Sequence, residues 1–464
     1  MPARRISVAP ADALREGFSE IRVQAGVVSD FAPDVLGEAQ EAAARAGDGA
    51  ADARPRVELP FVTVDPPGSR DLDQALHIER RGEGHRVSYA IADVGSFVVA
   101  GGPLDGAAHA RGVTVYSPDA KAPLLPPVLS EGAASLLPGQ WCPAVLWTLD
   151  LDGAGELVAT AVERASVRSA AQHTYADVPP ELEPLLREVG ERRLDLERRR
   201  GGVRLNVPEQ EVAGEGGSWT VRYRVPLPSE DWNAQVSLLT GMAAAELMLK
   251  AGTGILRTQP DPDPKALARL RHQADALGVA WPGDQDYAGF IASLDPALPA
   301  HAALMQEATG VGRGAHYTAF DGEPPAERMH FAVAAPYAHA TAPLRRLQDR
   351  YVSECCLAAS AGTAPPDWVR AGLRALPDVM AGADRRANAV ERGCVDLVEA
   401  VLLQGREGEL FDAVVIDEAL VQLREPAVRG RLSAGGPGAG TPVKARLERA
   451  DPATRSVLFS AQSS

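Results

Sequence analysis

The sequence has few lysines and cysteines and no long apolar run, and each shortage excludes a class of protein. Its 464 residues include only four cysteines, none in a Cys-x-x-Cys pair, which argues against a zinc ribbon and a disulfide scaffold. No run of about 18 apolar residues occurs, so no membrane span is expected. No apolar segment follows the arginines near the N-terminus, so no signal peptide is expected and a reducing, cytoplasmic setting fits best.

Positive charge is also in deficit. The 62 acidic residues outnumber the 47 basic ones, which gives a formal net charge of −15. Overall charge therefore does not favour binding to nucleic acid, although the composition is compatible with a local channel lined by arginine. Nearly all the basic residues are arginines, and the lysines are Lys121, Lys250, Lys265 and Lys444.

The composition is that of a globular protein, and the chain divides into three segments. Apolar residues make up 45% and charged residues 23% of the sequence. Residues 1–57 predict a small helical element, because Leu14, Phe18 and Ile21 recur at helical spacing and residues 48–56 are typical of a linker. Two interpretations stay open for this element: a helix-turn-helix-like unit, or an appendage docked on the next domain.

Residues 58–403 predict one large α+β domain, because strand patterns dominate early and helical patterns dominate late. The predicted strands cover residues 61–64, 86–99 and 144–151. The predicted helices cover residues 180–200, 231–251, 266–277, 343–361 and 368–403.

Residues 405–464 predict a separate β-barrel. Its five short strand candidates cover residues 410–416, 420–423, 428–432, 441–447 and 457–461. Five strands in a segment of this size suit an OB-fold, which often binds oligonucleotides. A barrel that only packs against the main domain is the alternative.

An acidic cluster is the strongest local signal. Asp65, Asp71 and Asp73 lie within nine residues, beside a predicted strand and a Pro-Pro-Gly turn. In an extended chain Asp71 and Asp73 would point to one face, and clustered carboxylates suit Mg²⁺ or Mn²⁺. An EF-hand is excluded, because the loop lacks its glycine and its final glutamate. Taken alone, the spacing also fits a solvated acidic turn.

A second signal lies between Tyr337 and Asp349. Pro343 is predicted in the first turn of a helix, which would bring Arg345 and Arg346 close to its positive end. Arginines at such a place can bind phosphate. The alternative is an ordinary helix start with surface arginines.

Together the two signals resemble the RNase II family of exoribonucleases. Residues 65–75 resemble its D-x5-D-x-D-D-A signature, and residues 341–349 resemble its T-S-P-I-R-[RK]-x-x-D signature. Further family motifs are matched, in the family's order, at residues 89–94, 111–118, 126–130, 135–139 and 175–178.

The resemblance implies an RNase II-type catalytic domain at residues 58–403 and an RNA-binding OB-fold domain at residues 405–464. It implies a hydrolytic 3′→5′ exoribonuclease that uses Mg²⁺, or alternatively Mn²⁺, at a two-metal site and releases nucleoside 5′-monophosphates. The implied metal ligands are Asp65, Asp71, Asp73 and Gln74. The implied catalytic residues are Asp71, Asp73 and Arg345. The implied RNA contacts are Tyr116, Tyr337, His339, Thr341, Arg345 and Arg346, although for His339 a structural role is favoured.

The sequence departs from the family pattern at several positions. Gln74 stands where the family has a fourth aspartate, so the site loses one negative charge, although the amide oxygen could still bind a metal. Ala342 and Leu347 replace a serine and an aromatic residue, residues 233–235 lack the family's paired glutamates, and no second stacking aromatic occurs near Arg204.

These departures leave alternatives open. The first is an RNA-binding protein of the same fold whose catalysis Gln74 impairs, and the second is a phosphodiesterase acting on DNA. Residues 1–57 cannot hold the family's two cold-shock domains, so we expect a short form with a more open RNA entrance that tolerates structured RNA. RNA is the expected partner, and a monomer without a stable protein partner is expected.

Overall fold

The computed structural model describes residues 11–47, 54–205, 209–215, 218–224, 226–295, 298–417, 419–426, 428–438 and 440–462. Most of the linker predicted at residues 48–56 lies outside the described residues. Within these ranges, no helix is both long enough and apolar enough to cross a membrane.

The described residues form both α-helices and β-strands. The helices are α1 (Ala11–Gln24), α2 (Pro33–Gly47), α3 (Pro103–Arg111), α4 (Glu183–Arg199), α5 (Pro228–Ala251), α6 (Pro264–Ala276), α7 (Tyr287–Ala292), α8 (Pro299–Val311), α9 (Leu347–Ala361), α10 (Asp367–Leu373) and α11 (Leu376–Leu403). The strands are β1 (Arg56–Asp65), β2 (Gln74–Arg81), β3 (Gly84–Ala92), β4 (Val115–Tyr116), β5 (Lys121–Ala122), β6 (Trp141–Leu151), β7 (Leu157–Thr174), β8 (Glu209–Glu215), β9 (Ser218–Arg224), β10 (Thr253–Thr258), β11 (His316–Asp321), β12 (Leu410–Asp417), β13 (Leu420–Leu423), β14 (Arg429–Leu432), β15 (Pro442–Asp451) and β16 (Ser456–Gln462).

A closed five-stranded barrel in the order β1-β2-β3-β6-β7 forms the scaffold of the large domain. The barrel closes through a parallel pairing of β1 with β7, and its other strand pairs are antiparallel. Strands β3 and β6 are buried along most of their length. Tyr89 and Trp147, cross-strand neighbours on β3 and β6, are both fully buried.

Helices α5 and α9 pack against each other, and α9, which also packs against β7, is buried for most of its length. Helix α5 meets the barrel where Oγ of Ser237 lies 3.0 Å from the Tyr89 hydroxyl. A smaller apolar cluster joins α6, α7 and α8, with Trp281 stacked on Phe290 at a centroid distance of 3.9 Å. The α+β class predicted from the sequence is confirmed. The prediction left out β2, β4, β5, β7, the β8–β9 and β10–β11 pairs, and helices α3, α7 and α8.

The N-terminal helices dock on the large domain. The residues predicted to recur at helical spacing, Leu14, Phe18 and Ile21, are at most 2% exposed, and α1 lies along α11. Arg22 at the end of α1 donates to Asp119 Oδ1 at 2.6 Å, which adds an ion pair to this contact. This packing is that of a docked appendage.

The C-terminal barrel has the strand order β12-β13-β14-β16-β15 and closes through a parallel pairing of β14 with β16. The five predicted strands correspond to the five observed, and β15 is longer than predicted. The alternation of buried and exposed residues along β15 gives the barrel an apolar interior around Phe459.

Two predicted helices differ from the structure. The helix predicted at residues 343–361 begins only at Leu347, and Pro343 precedes it. Residues 342–346 form a turn in which the Arg345 and Arg346 N–H groups donate to the Ala342 carbonyl, while the Leu344 N–H donates to Asp73. The helix predicted at residues 368–403 is divided into α10 and α11. Pro377, near the start of α11, has no N–H to donate to the Leu373 carbonyl, so the hydrogen bonds of α10 cannot continue across it.

The docking of α1 can be tested at Phe18. Because this side chain is fully buried, we expect Phe18→Ala to lower the free energy of unfolding by about 3–5 kcal/mol in urea denaturation followed by circular dichroism. Val23→Ala on the same helix is the control, since Val23 is 74% exposed and its change should stay within about 0.5 kcal/mol. Equal stability of both variants would mean that α1 does not unfold together with the large domain.

Candidate active site

Two of the predicted acidic residues lie at the end of the β1–β2 pair. Asp65 is the last residue of β1, and a turn follows in which the Ser69 N–H donates to the Pro66 carbonyl at 3.2 Å. Gly68 has a φ of +82°, a conformation that glycine adopts without strain. Val62 pairs with Leu76, and continuing this antiparallel register places Asp65 opposite Asp73.

Asp73 links this acidic loop to the second motif. Its side chain is almost completely buried, and Oδ1 accepts a 2.7 Å hydrogen bond from the Leu344 N–H. Oδ2 lies 3.3 Å from Nε of Arg345, whose own side chain is 44% exposed. Burial raises the pKa of Asp73 to about 7, against the opposing effect of the Arg345 charge. A buried carboxylate and an accessible guanidinium thus meet at one point.

The turn that carries Arg345 is held by Asp349. The buried Asp349 carboxylate accepts from the Ala342 N–H at 2.6 Å and from Nη2 of Arg346 at 2.8 Å, and it is also bonded to Gln348. The pKa of Arg346 is raised, since the neighbouring Asp349 charge outweighs the effect of burial. Arg346 is therefore part of the turn's internal structure, whereas Arg345 projects from it.

Asp65 has a buried oxygen, Oδ2, that accepts no hydrogen bond from the residues that the structure describes. Burial raises the pKa of Asp65 to about 6. A buried carboxylate oxygen left unpaired is costly, and a bound cation would remove that cost.

Asp71 is bound differently from the other two aspartates. Nζ of Lys121 donates to its Oδ1 at 2.9 Å, and the Tyr116 hydroxyl donates to its Oδ2 at 3.1 Å. Burial acts to raise the pKa of Asp71, but the hydrogen bond and charge of Lys121 outweigh it and the pKa is lowered. Both carboxylate oxygens of Asp71 are thus occupied by protein groups.

Gln74 also makes a protein contact. Its Oε1 atom accepts a short hydrogen bond from the Tyr89 hydroxyl, which lies 3.0 Å from Oγ of Ser237. The expected metal-binding oxygen of Gln74 is therefore engaged with the barrel.

The carboxylates fit a divalent cation in part. Hard carboxylate oxygens are suitable ligands for Mg²⁺ and Mn²⁺, and Asp65 has a buried oxygen that no described protein group binds. Across the ranges that the structure covers, no set of three or more His, Cys, Asp or Glu side chains is arranged as a metal site. Mg²⁺ often binds through one or two carboxylates and completes its shell with water and substrate phosphate, so two aspartates suffice.

The other expected RNA contacts are set back from the acidic cluster. His339 Nδ1 is 2.8 Å from the Tyr317 hydroxyl, its ring meets Tyr337 edge to face, and burial lowers its pKa well below the usual range. Thr341 is 7% exposed. The structure thus brings together Asp65, Asp71, Asp73, Tyr116 and Arg345, while their roles stay predictions.

The site also contains Lys121, Glu131 and Tyr89, which were not predicted from the sequence as site residues. Nζ of Lys121 is 2.9 Å from Oε1 of Glu131 as well as from Asp71. Lys121 is one of four lysines in an arginine-rich chain, which was the only available signal.

The chain is similar to known proteins over both the large domain and the C-terminal barrel. A family model for the RNB domain matches residues 56–359, and one for the RNase II-type exonuclease C-terminal S1 domain matches residues 409–462. Ribonuclease R of Escherichia coli is 28% identical over 417 residues, which cover 82% of this chain and 50% of that protein. The chain thus spans half the length of this relative.

Solved structures share the fold at low sequence identity. Apo RNase R of Mycoplasma genitalium superposes with a TM-score of 0.85 at 18% identity, covering 97% of this chain and 78% of that one. A complex of that protein with double-stranded RNA gives a TM-score of 0.84 at 19% identity, with coverages of 97% and 84%. Yeast Ssd1, a pseudonuclease, gives 0.67 at 17% identity, with coverages of 86% and 52%.

The turn that carries Arg345 can be tested at Asp349. Asp349→Asn leaves the Arg346 guanidinium without its counter-charge, and we expect a loss of about 3 kcal/mol in the free energy of unfolding. Asp321→Asn is the matched control, because Asp321 pairs with Arg370 at the surface and such pairs contribute about 0.2–1 kcal/mol. Urea denaturation measures both, and a loss at Asp349 no larger than that at Asp321 would contradict this account of the turn.

Proposed function

The chain belongs to the RNase II family of RNB-domain proteins, and from this membership we propose that it is a metal-dependent exoribonuclease. In this proposal it hydrolyses RNA from the 3′ end and releases nucleoside 5′-monophosphates. Single-stranded RNA is the proposed substrate. Structured RNA is a further candidate, because a protein of the same fold has been solved with a double-stranded RNA.

One observation carries the proposal: the contact between Asp73 and the turn at Arg345. These residues are far apart in sequence, yet Oδ2 of Asp73 lies 3.3 Å from Nε of Arg345. A phosphodiester hydrolase needs a group that binds the phosphate next to carboxylates that hold a cation, and this contact supplies both.

Each residue then has a separate task. Asp65 and Asp73 would hold a divalent cation, which would lower the pKa of a water and neutralise charge on the phosphate. Arg345, being accessible, would bind the scissile phosphate through its guanidinium. The Leu344 N–H fixes Asp73 so that its second oxygen faces Arg345.

Tyr116 is suited to contact the 3′-terminal nucleotide. Its side chain is 49% exposed, while its hydroxyl is fixed on Asp71. An exposed ring beside the acidic cluster can stack on a base without selecting its identity.

A crevice between α11 and the C-terminal barrel supports RNA binding outside the reaction centre. Acidic residues are present there, but arginines dominate its charge. The arginines are Arg392, Arg429, Arg431, Arg449 and Arg455. Such a concentration would attract the phosphate backbone in a protein whose overall charge is negative.

A second candidate is an RNA-binding protein of the same fold with impaired catalysis. Gln74 favours it, because this residue carries no charge and its oxygen is bonded to Tyr89. The fold of a pseudonuclease is similar to this one.

The test is an incubation of the purified protein with a 5′-labelled RNA in the presence of Mg²⁺, Mn²⁺ or EDTA. If the protein is an exoribonuclease, we expect a metal-dependent ladder of products that shorten from the 3′ end. Intact RNA together with a gel shift would favour the binding protein. DNA of the same sequence, included as a second substrate, would reveal a phosphodiesterase acting on DNA if it were degraded equally.

Asp73→Asn tests the assignment of the site. Because the variant loses the charge that faces Arg345 and a cation, we expect degradation to fall at least about 100-fold while RNA is still bound. Asp284→Asn is the control, since Asp284 lies in an exposed turn and its variant should degrade RNA at the parent rate. Turnover by the Asp73→Asn protein at the control's rate would show that the site is elsewhere.

A further inference from the structure

The side chain of Asp71 is neutralised inside the protein, which distinguishes it from Asp65 and Asp73. Lys121 and Tyr116 occupy its two oxygens at 2.9 and 3.1 Å. The Asp71 side chain is 15% exposed and that of Lys121 is 27% exposed, so water screens this ion pair only partly. A divalent cation on Asp71 would share the carboxylate with the ammonium group, and the two positive charges would repel each other at this short distance.

The fold holds Lys121 at this place. Strands β4 and β5 form a short antiparallel pair in which Tyr116 and Lys121 are direct partners. Side chains of such partners lie on the same face, and both of these reach Asp71. Nζ of Lys121 also lies 2.9 Å from Oε1 of Glu131, which is a second ion-pair partner of the ammonium group. Lys121 is therefore positioned by a strand pair and two carboxylates.

Gln74 further reduces the negative charge that is available to bind divalent cations. A site for two divalent cations needs several carboxylates, because each cation brings two positive charges. Here Gln74 contributes no charge and its oxygen is bonded to Tyr89. With Asp71 neutralised as well, the carboxylates left for metal are Asp65 and Asp73.

We propose that the Lys121 ammonium takes the place of one divalent cation, so that this site holds a single divalent cation on Asp65 and Asp73. The inference rests on the proposed function and deepens it. Lys121 acts as a positioning residue, because it supplies a fixed positive charge and holds Asp71 and, through it, the Tyr116 hydroxyl. An ammonium group is a compact charge but cannot bind and activate water as a cation does, so the one metal would retain that task.

The number of bound Mn²⁺ ions tests this proposal without any measurement of activity. Free Mn²⁺ is measured by electron paramagnetic resonance during titration of the full chain, and the Asp65→Asn/Asp73→Asn protein gives the baseline for ions bound elsewhere. We expect one ion above the baseline for the parent protein and for Gln74→Asp, because Lys121 still holds Asp71 in both. We expect two ions for Lys121→Met/Gln74→Asp.

The matched control is Lys250→Met/Gln74→Asp. Lys250 lies on the surface and pairs with Glu246, so this variant loses the same charge elsewhere and should bind one ion. Two ions or none in the parent protein, two in Gln74→Asp, or one in Lys121→Met/Gln74→Asp would overturn the proposal. If the Lys121 double variant does not fold, the counts for the parent and for Gln74→Asp still decide.

The Mn²⁺ count and the degradation of RNA test the single-cation site and the exoribonuclease separately. A parent protein that binds one Mn²⁺ ion but leaves RNA intact would refute the exoribonuclease and leave the ion count standing. A protein that degrades RNA with two ions bound would support the exoribonuclease and refute the single-cation site.

Discussion

The site depends on one buried carboxylate, that of Asp73, which joins two parts of the chain that are distant in sequence. Its Oδ1 atom accepts from the Leu344 N–H at 2.7 Å, and this bond fixes the turn before α9 against the end of the β1–β2 pair. Burial makes ionisation of Asp73 costly, so the carboxylate needs positive groups close by. Arg345 is one such group, and the proposed cation is the other. Burial thus favours the neutral form of the Asp73 carboxyl, whereas binding a cation requires the charged form.

Other buried charges close to the turn are paired with one another. Asp349 binds Arg346 within the turn, and Arg350 on α9 donates to Asp105 at 2.6 Å. Pairs of this kind contribute little net stability, but removing one partner leaves a buried charge uncompensated. They fix the position of α9 and of the turn, so that Arg345 projects from a rigid base.

Local patterns in the sequence were sufficient to predict much of the fold. The spacing of Leu14, Phe18 and Ile21 predicted a helix with a buried face, and five short strand candidates predicted the strands of the C-terminal barrel. The parallel closure of β1 on β7 could not be predicted, because it joins strands separated by most of the barrel. The division between α10 and α11 depends on Pro377, whose effect could have been recognised from the sequence.

The site was harder to predict than the fold, because a motif gives residue types without the partners that occupy them. Asp65, Asp71 and Asp73 are equivalent carboxylates in the sequence, yet one has an unpaired buried oxygen, one is neutralised and one is fixed by a backbone N–H. The difference arises from Lys121, which reaches Asp71 through the β4–β5 pair rather than through any motif. Because a fixed ammonium and a metal ion compete for the same oxygens, the number of cations follows from the partners of each carboxylate.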